Sequence, residues 1–139
     1  MPYPEEMIAP MRKELTKLGV QELRDAKTVD TLLKNQKETV LIIVNSMCGC
    51  AARTARPAFQ EALKNKKIPK TIATVFAGQD LEATSQLREK YLKAFPPSSP
   101  AFALFKNNKP VTVIGREEIM GYEPEIIEKK LKKAFDEFC

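Results

Sequence analysis

Cys48, Gly49 and Cys50 place two thiols around a single glycine in a chain of 139 residues that holds only three cysteines. The pair follows the apolar run TVLIIVN (39–45) and precedes an alanine-rich stretch, so it falls where a strand passes into a helix. The first amides of a helix have no partner within it, and together with the helix dipole they favour an anion at its start. A cysteine held there titrates below the ~8.5 of a free thiol, which makes Cys48 the candidate nucleophile at neutral pH. Cys50 is then the candidate resolving thiol, placed to displace a mixed disulfide from Cys48. A disulfide across one residue departs from relaxed geometry and is easily reduced, which suits exchange better than permanent crosslinking. It also requires non-helical backbone at Cys48 and Gly49, and glycine adopts such backbone most readily. Arg53 and Arg56, on the first turns of the same helix, add positive charge nearby.

Other chemistries have less to work with. The chain has no histidine, so Cys-His and Ser-His pairs and mixed Cys/His zinc sites are excluded. Cys48, Cys50 and Cys139 make at most three thiolate ligands, which leaves a cluster or metal shared between subunits as the carrier alternative. An odd, small number of cysteines is no disulfide framework, and a close pair in a reducing compartment points to redox work. The first residues, MPYPEEMIAPMRKEL, lack the basic start and apolar core of a secretion signal, and no apolar run approaches the ~18 residues of a membrane span. These features predict a cytoplasmic protein with no membrane association. Lys plus Arg number 23 against 18 Asp plus Glu. The lysine clusters at 64–70 and 129–133 alternate with apolar residues as solvated helix surfaces do, and no stacked-aromatic pattern points to nucleic acid.

The rest of the chain must position this pair. Pro4 opens a leading helix whose apolar face is predicted to be Met7, Met11, Leu15 and Leu18, ending before Gly19. Residues 20–25 alternate like a half-buried strand, and Val29, Leu32 and Leu33 mark a short helix. The run 39–45 suits a central strand covered on both faces. After the cysteines, Ala51, Ala55, Ala58, Phe59, Ala62 and Leu63 stripe a helix to about Lys67, with a kink predicted at Pro57. A strand at 71–77 follows, then a helix carrying Leu87, Tyr91 and Phe95 that stops at PPSSP. Residues 101–106 and 110–115 form a hairpin around Asn107-Asn108, and Ile127, Leu131, Phe135 and Phe138 lie along a closing helix. This order predicts one α/β domain over 1–139, a mixed sheet covered by helices on both faces with an extra helix in front, as in the thioredoxin fold. Pro100, at the head of the strand that passes the thiols, stands where an X–Pro bond can take either isomer, and in such a layout the Ser99 backbone is expected to be free to pair with an extended substrate.

The segments VNSMCGCAARTARPAF, PSSPAFALFK and GYEPEII, with the terminal Cys139, resemble the bacilliredoxins, small thioredoxin-like proteins with a Cys-Gly-Cys motif, along nearly the whole chain. The resemblance implies reduction of mixed disulfides between cytosolic proteins and bacillithiol, with Cys48 attacking and Cys50 as its partner, and some members act as disulfide isomerases. It implies no tightly bound cofactor. Bacillithiol is the co-substrate, bacillithiolated proteins are the partners, and a separate reductant restores the dithiol of a monomer or weak dimer. Met47 stands where thioredoxins usually have Trp, so Met47, Gly49, Ser99 and Pro100 are the expected substrate contacts. Ile42 stands where they usually keep a buried acid, so resolution by Cys50 is expected to rely on water or substrate. Bacillithiol carries a malate with two carboxylates, which Arg53 and the helix start are expected to hold. The alternatives are a general thioredoxin-like reductase or isomerase and, as a non-enzyme, the metal or iron–sulfur carrier. Cys139 is expected to be accessory.

Overall fold

The computed structural model describes residues 2–139. Its architecture follows from β2 (Val40–Asn45), in which every residue is buried. An uninterrupted β-branched and leucine run has no polar face to offer water, so the stable place for it is the middle of a sheet. The sheet runs β1-β3-β2-β4-β5, with β1 at Gln21–Glu22, β3 at Thr71–Phe76, β4 at Ala101–Lys106 and β5 at Lys109–Ile114. β2 pairs parallel with β3 and antiparallel with β4, and β1 and β5 are the edges. Asn107 and Asn108 close the β4–β5 hairpin with φ of 51° and 66°, left-handed values that asparagine tolerates better than most residues.

Because side chains alternate along a strand, β2 feeds two cores. Leu41 and Ile43 join Leu15 of α1 (Glu5–Thr16), Ala58, Phe59 and Ala62 of α3 (Arg56–Ala62), and Ile127, Leu131 and Phe135 of the closing helix. Val40, Ile42 and Val44 meet Val29 and Leu33 of α2 (Ala26–Leu33) and Ala83 of α4 (Leu81–Gln86) on the other face. Burying a side chain of the size of Phe59 stabilises the fold by about 1.5–3 kcal/mol. The mixed five-stranded sheet between helical layers, with α1 in front, is the expected thioredoxin-like arrangement.

Several local expectations are corrected. α1 buries Ile8, Arg12 and Leu15, whereas Met7 is 47% exposed; its inner face is turned from the predicted stripe. The reason is Arg12, whose guanidinium bonds Asp80 at 2.7 and 2.9 Å and Glu22 at 2.9 Å, so a charged residue occupies an inward position that an apolar pattern skips. β1 pairs over two residues instead of six. The helix after the cysteines stops at Ala62 instead of Lys67, and its irregularity lies just before Pro57: Ala51–Ala55 is π-helical, and the Arg56 N–H donates to the Ala51 carbonyl five residues back. Proline carries no N–H, so an unbroken α ladder cannot run through it, and widened turns are one remedy. A second π-helical stretch, Leu87–Tyr91, follows α4 and ends before Phe95, which is exposed instead of continuing the Leu87 and Tyr91 face. A short helix unanticipated by the periodicity, α5 (Arg116–Ile119), precedes α6 (Pro124–Phe138).

Candidate active site

The thiol loop leaves the carboxyl end of β2 and is held by a buried polar relay. The Asn45 side chain accepts the Ser46 N–H at 2.9 Å and an Arg56 N–H at 2.9 Å, and it donates to the Met11 carbonyl of α1 at 3.3 Å. Arg56 also donates to the Ser46 carbonyl at 3.1 Å. It was expected to lend charge to the thiols; instead it is buried and spent on the loop backbone, with Glu14 Oε1 3.2 Å from its Nε. A half-helical cap follows. The Ser46 hydroxyl accepts the Cys48 N–H at 3.0 Å, and the Cys48 carbonyl accepts the Ala51 and Ala52 amides at 3.1 and 3.3 Å. Cys48 therefore sits at the helix start, where amides are unpaired.

Both thiols are free and half-buried, with Sγ atoms 2.7 Å apart. Burial pushes the Cys48 thiol up, but hydrogen bonds from the Cys50 thiol, the Ser46 hydroxyl and the Ala51 and Cys50 amides outweigh it and bring Cys48 down to about 7. Burial pushes Cys50 up as well, and there its hydrogen bond to Cys48 and the negative charge on Cys48 reinforce the rise, with Arg116 opposing it. Near neutral pH one sulfur is half ionised while its neighbour keeps its proton, the division of labour that attack and later resolution require. The groups that lower Cys48 most are hydrogen-bond donors of the loop and helix start. A direct test follows: alkylation of Cys48 by iodoacetamide rises with pH through a midpoint near 7, and Ser46→Ala, which removes one of the donors, moves that midpoint upward. A midpoint unmoved by the substitution would show that the hydroxyl does not stabilise the thiolate.

With both thiols free, Gly49 is seen in the reduced pair, and the non-helical backbone expected of it belongs to the disulfide. Glycine freedom is used at Gly19, Gly78 and Gly121, which have positive φ, and not at Gly49, which lies within the helical start. What Gly49 supplies is room: a Cβ there would stand 2.8 Å from an Arg53 guanidinium nitrogen. Arg53, exposed, thus lies folded over the motif. Met47 is half-buried in the bend between Ser46 and Cys48.

The second element comes from the far side of the chain. Ala101 pairs with Val44 of β2, which brings the cis Ser99–Pro100 peptide alongside the thiol loop. Pro100 is buried and Ser99 half-buried. Of the Ser99 backbone expected to be free for a substrate, the carbonyl is engaged: an Arg116 N–H donates to it at 3.2 Å, while the Arg116 backbone N–H donates to the Ser98 hydroxyl at 2.6 Å. Arg116, whose charge reaches Cys50, was not singled out from the sequence, and no local spacing marks it. It is brought here by the β4–β5 hairpin. Ile42 is fully buried among apolar side chains, so no acid lies beneath the pair at that position.

Cys139 stands apart. It is exposed, and burial of its sulfur pushes its thiol up while a hydrogen bond with Thr39 and the charges of Lys106 and Lys67 pull it down. Thr39 precedes β2, and Cys48 follows its other end; at about 3.3 Å per residue the strand separates the two by about 20 Å. The three sulfurs of one chain do not converge. Among the described residues no helix is long and apolar enough to cross a membrane.

Comparison with known proteins agrees with this geometry. The family described as disulphide isomerase matches residues 3–139. A bacilliredoxin of Salinibacter ruber is 49% identical over 140 residues, covering 100% of this chain and 81% of that protein. A bacilliredoxin of Halalkalibacterium halodurans is 46% identical over 137 residues, covering 99% and 94%. Among solved structures, a putative oxidoreductase with a thioredoxin fold superposes with a TM-score of 0.62 at 17% identity, covering 83% of this chain and 96% of that one. The thioredoxin of Fasciola hepatica gives 0.59 at 20% identity, covering 86% and 100%; at such identities these two speak for the fold. Matched over its whole length by relatives nearly half identical to it, and carrying an activated thiol beside a protonated one, the chain belongs to the bacilliredoxin family of thiol-disulfide oxidoreductases.

Proposed function

We propose that the protein removes bacillithiol from mixed disulfides on cytoplasmic proteins. The observation that carries this reading is the asymmetric pair, Cys48 brought to about 7 and Cys50 raised beside it, in a chain whose relatives are bacilliredoxins. The Cys48 thiolate attacks the bacillithiol sulfur, a Cys48–bacillithiol disulfide forms, the target's disulfide breaks, and the target leaves as a thiolate that takes a proton from water. Cys50, after losing its proton to water or to a departing thiolate, attacks Cys48, and bacillithiol leaves; a second bacillithiol does the same work by taking the adduct away as its own disulfide. Two electrons from an external thiol reductant then reduce the Cys48–Cys50 disulfide of the first route or the bacillithiol disulfide of the second. No tightly bound cofactor takes part, and bacillithiol is a co-substrate. Met47, Gly49 and Arg53 line the approach to Cys48, and Ser99 and Pro100 receive the target's extended backbone, Ser99 through its N–H because its carbonyl is held by Arg116.

The test compares rates on one target protein prepared with bacillithiol on its cysteine and with a plain disulfide. The bacillithiolated form is expected to react at least about tenfold faster; equal rates would reject the bacillithiol preference. A second reading, disulfide isomerase, is favoured by the family description and by the raised Cys50 thiol, because slow resolution prolongs the mixed disulfide on Cys48 and gives a substrate time to rearrange. Recovery of scrambled ribonuclease activity without net reduction is its signature.

A further inference from the structure

A groove of about 710 Å³ opens between the segment 95–99 and the start of α5. Two guanidinium groups share it. Arg88 donates to the Ser98 carbonyl at 3.2 Å and Arg116 to the Ser99 carbonyl at 3.2 Å, so the two cations hold successive peptides of the segment that leads into Pro100. Arg116 also has Met120 Sδ at 3.8 Å. Neither arginine has a carboxylate within ion-pair distance among the described residues, although Arg12, Arg24 and Arg56 all do. Arg88 is half-buried, and burial without a counter-ion works against its charge. Of the two acids at the rim, Glu118 is already engaged, accepting the Gly115 N–H at 3.2 Å and lying 3.6 Å from Lys130; Glu117 is exposed to solvent.

A guanidinium has five N–H donors in a planar fork suited to carboxylates, and these two leave most of theirs unused. Among the described residues, none of the thiol loop lines the groove; it is tied to the pair through Ser99, two residues before Ala101, which sits opposite Val44, and through Arg116, whose charge is felt at Cys50. We propose that Arg88 and Arg116 form the recognition site for the carboxylates of the small thiol carried into the reaction, one carboxylate to each guanidinium. This rests on the reading of bacillithiol as that thiol, and it assigns its malate to this groove instead of to Arg53. The adduct's sulfur then reaches Cys48 while its anionic end is held on the side where Arg116 also steadies Ser99.

The experiment uses the full chain and one target protein carrying, on the same cysteine, a mixed disulfide with bacillithiol or with 2-mercaptoethanol, which has no charge. The readout is the ratio of the two second-order rates for wild type, Arg88→Ala, Arg116→Ala, Arg116→Lys and the double alanine variant. The 2-mercaptoethanol arm corrects for any disturbance of the thiols or of the Ser98–Ser99 segment. Loss of a charged hydrogen-bonded pair is expected to lower the ratio by about tenfold to a hundredfold, more in the double variant than in either single one and less in Arg116→Lys, which keeps the charge. A wild-type preference for bacillithiol that survives unchanged in every variant overturns this site and leaves the proposed function standing. A wild-type ratio near one defeats the bacillithiol reading itself.

Discussion

Replacing Cys48 by serine is expected to reduce disulfide exchange by about a thousandfold or more, because a hydroxyl at this position is neither ionised near neutral pH nor comparably nucleophilic toward sulfur. Cys50 does not take over. Burial of its own sulfur pushes the Cys50 thiol up and works against its ionisation near neutral pH. The companion substitution separates the roles. Cys50→Ala leaves the attacking sulfur but removes its neighbour, and mass spectrometry should find the small thiol retained on Cys48 far longer than in wild type, while Cys48→Ser retains none. Cys50→Ala also deletes the strongest hydrogen bond that lowers Cys48, so its pH profile for the first step shifts to higher pH. Sustained exchange by Cys48→Ser would show that the nucleophile has been misassigned.

The largest effect on stability is expected at Asp80→Ala. Arg12 and Asp80 are both buried, with side chains 7% exposed, and meet through two hydrogen bonds of 2.7 and 2.9 Å. Asp80 also accepts the Phe76 N–H at 3.1 Å at the end of β3, and the Arg12 guanidinium lies 5.5 Å from the Phe76 ring centre. Removing the carboxylate leaves a buried cation short of its best partner, a change that costs about 3–5 kcal/mol and lowers the thermal midpoint by about 10 °C or more. Urea unfolding measures it directly, and a loss under about 1 kcal/mol would show that Glu5 and Glu22 suffice for Arg12. Arg12→Met combined with Asp80→Leu is expected to cost less than Asp80→Ala, since both charges then leave together. The consequence reaches the site, because the same helix supplies the Met11 carbonyl that holds Asn45. A loosened α1 should therefore slow exchange in Asp80→Ala at temperatures where the rest of the fold persists.

The sequence by itself determined the features that depend on neighbours along the chain. A continuous apolar run marks β2, two asparagines mark the hairpin turn, and a cysteine at the seam between that strand and the next helix marks the reactive sulfur, because strand periodicity, turn backbone and helix-start amides are all local. Tertiary structure alone decided which face of α1 turns inward, since a buried arginine is stable only where Asp80 and Glu22 arrive from distant segments to meet it. It likewise decided that Arg56 serves the loop backbone, that Gly49 leaves room for the Arg53 guanidinium, that Cys139 lies at the opposite end of the sheet, and that Arg88 and Arg116 converge on the segment before Pro100. Charges and sulfurs act through space over a few ångströms, and sheet pairing, which sets those distances, is written in no single stretch of the chain.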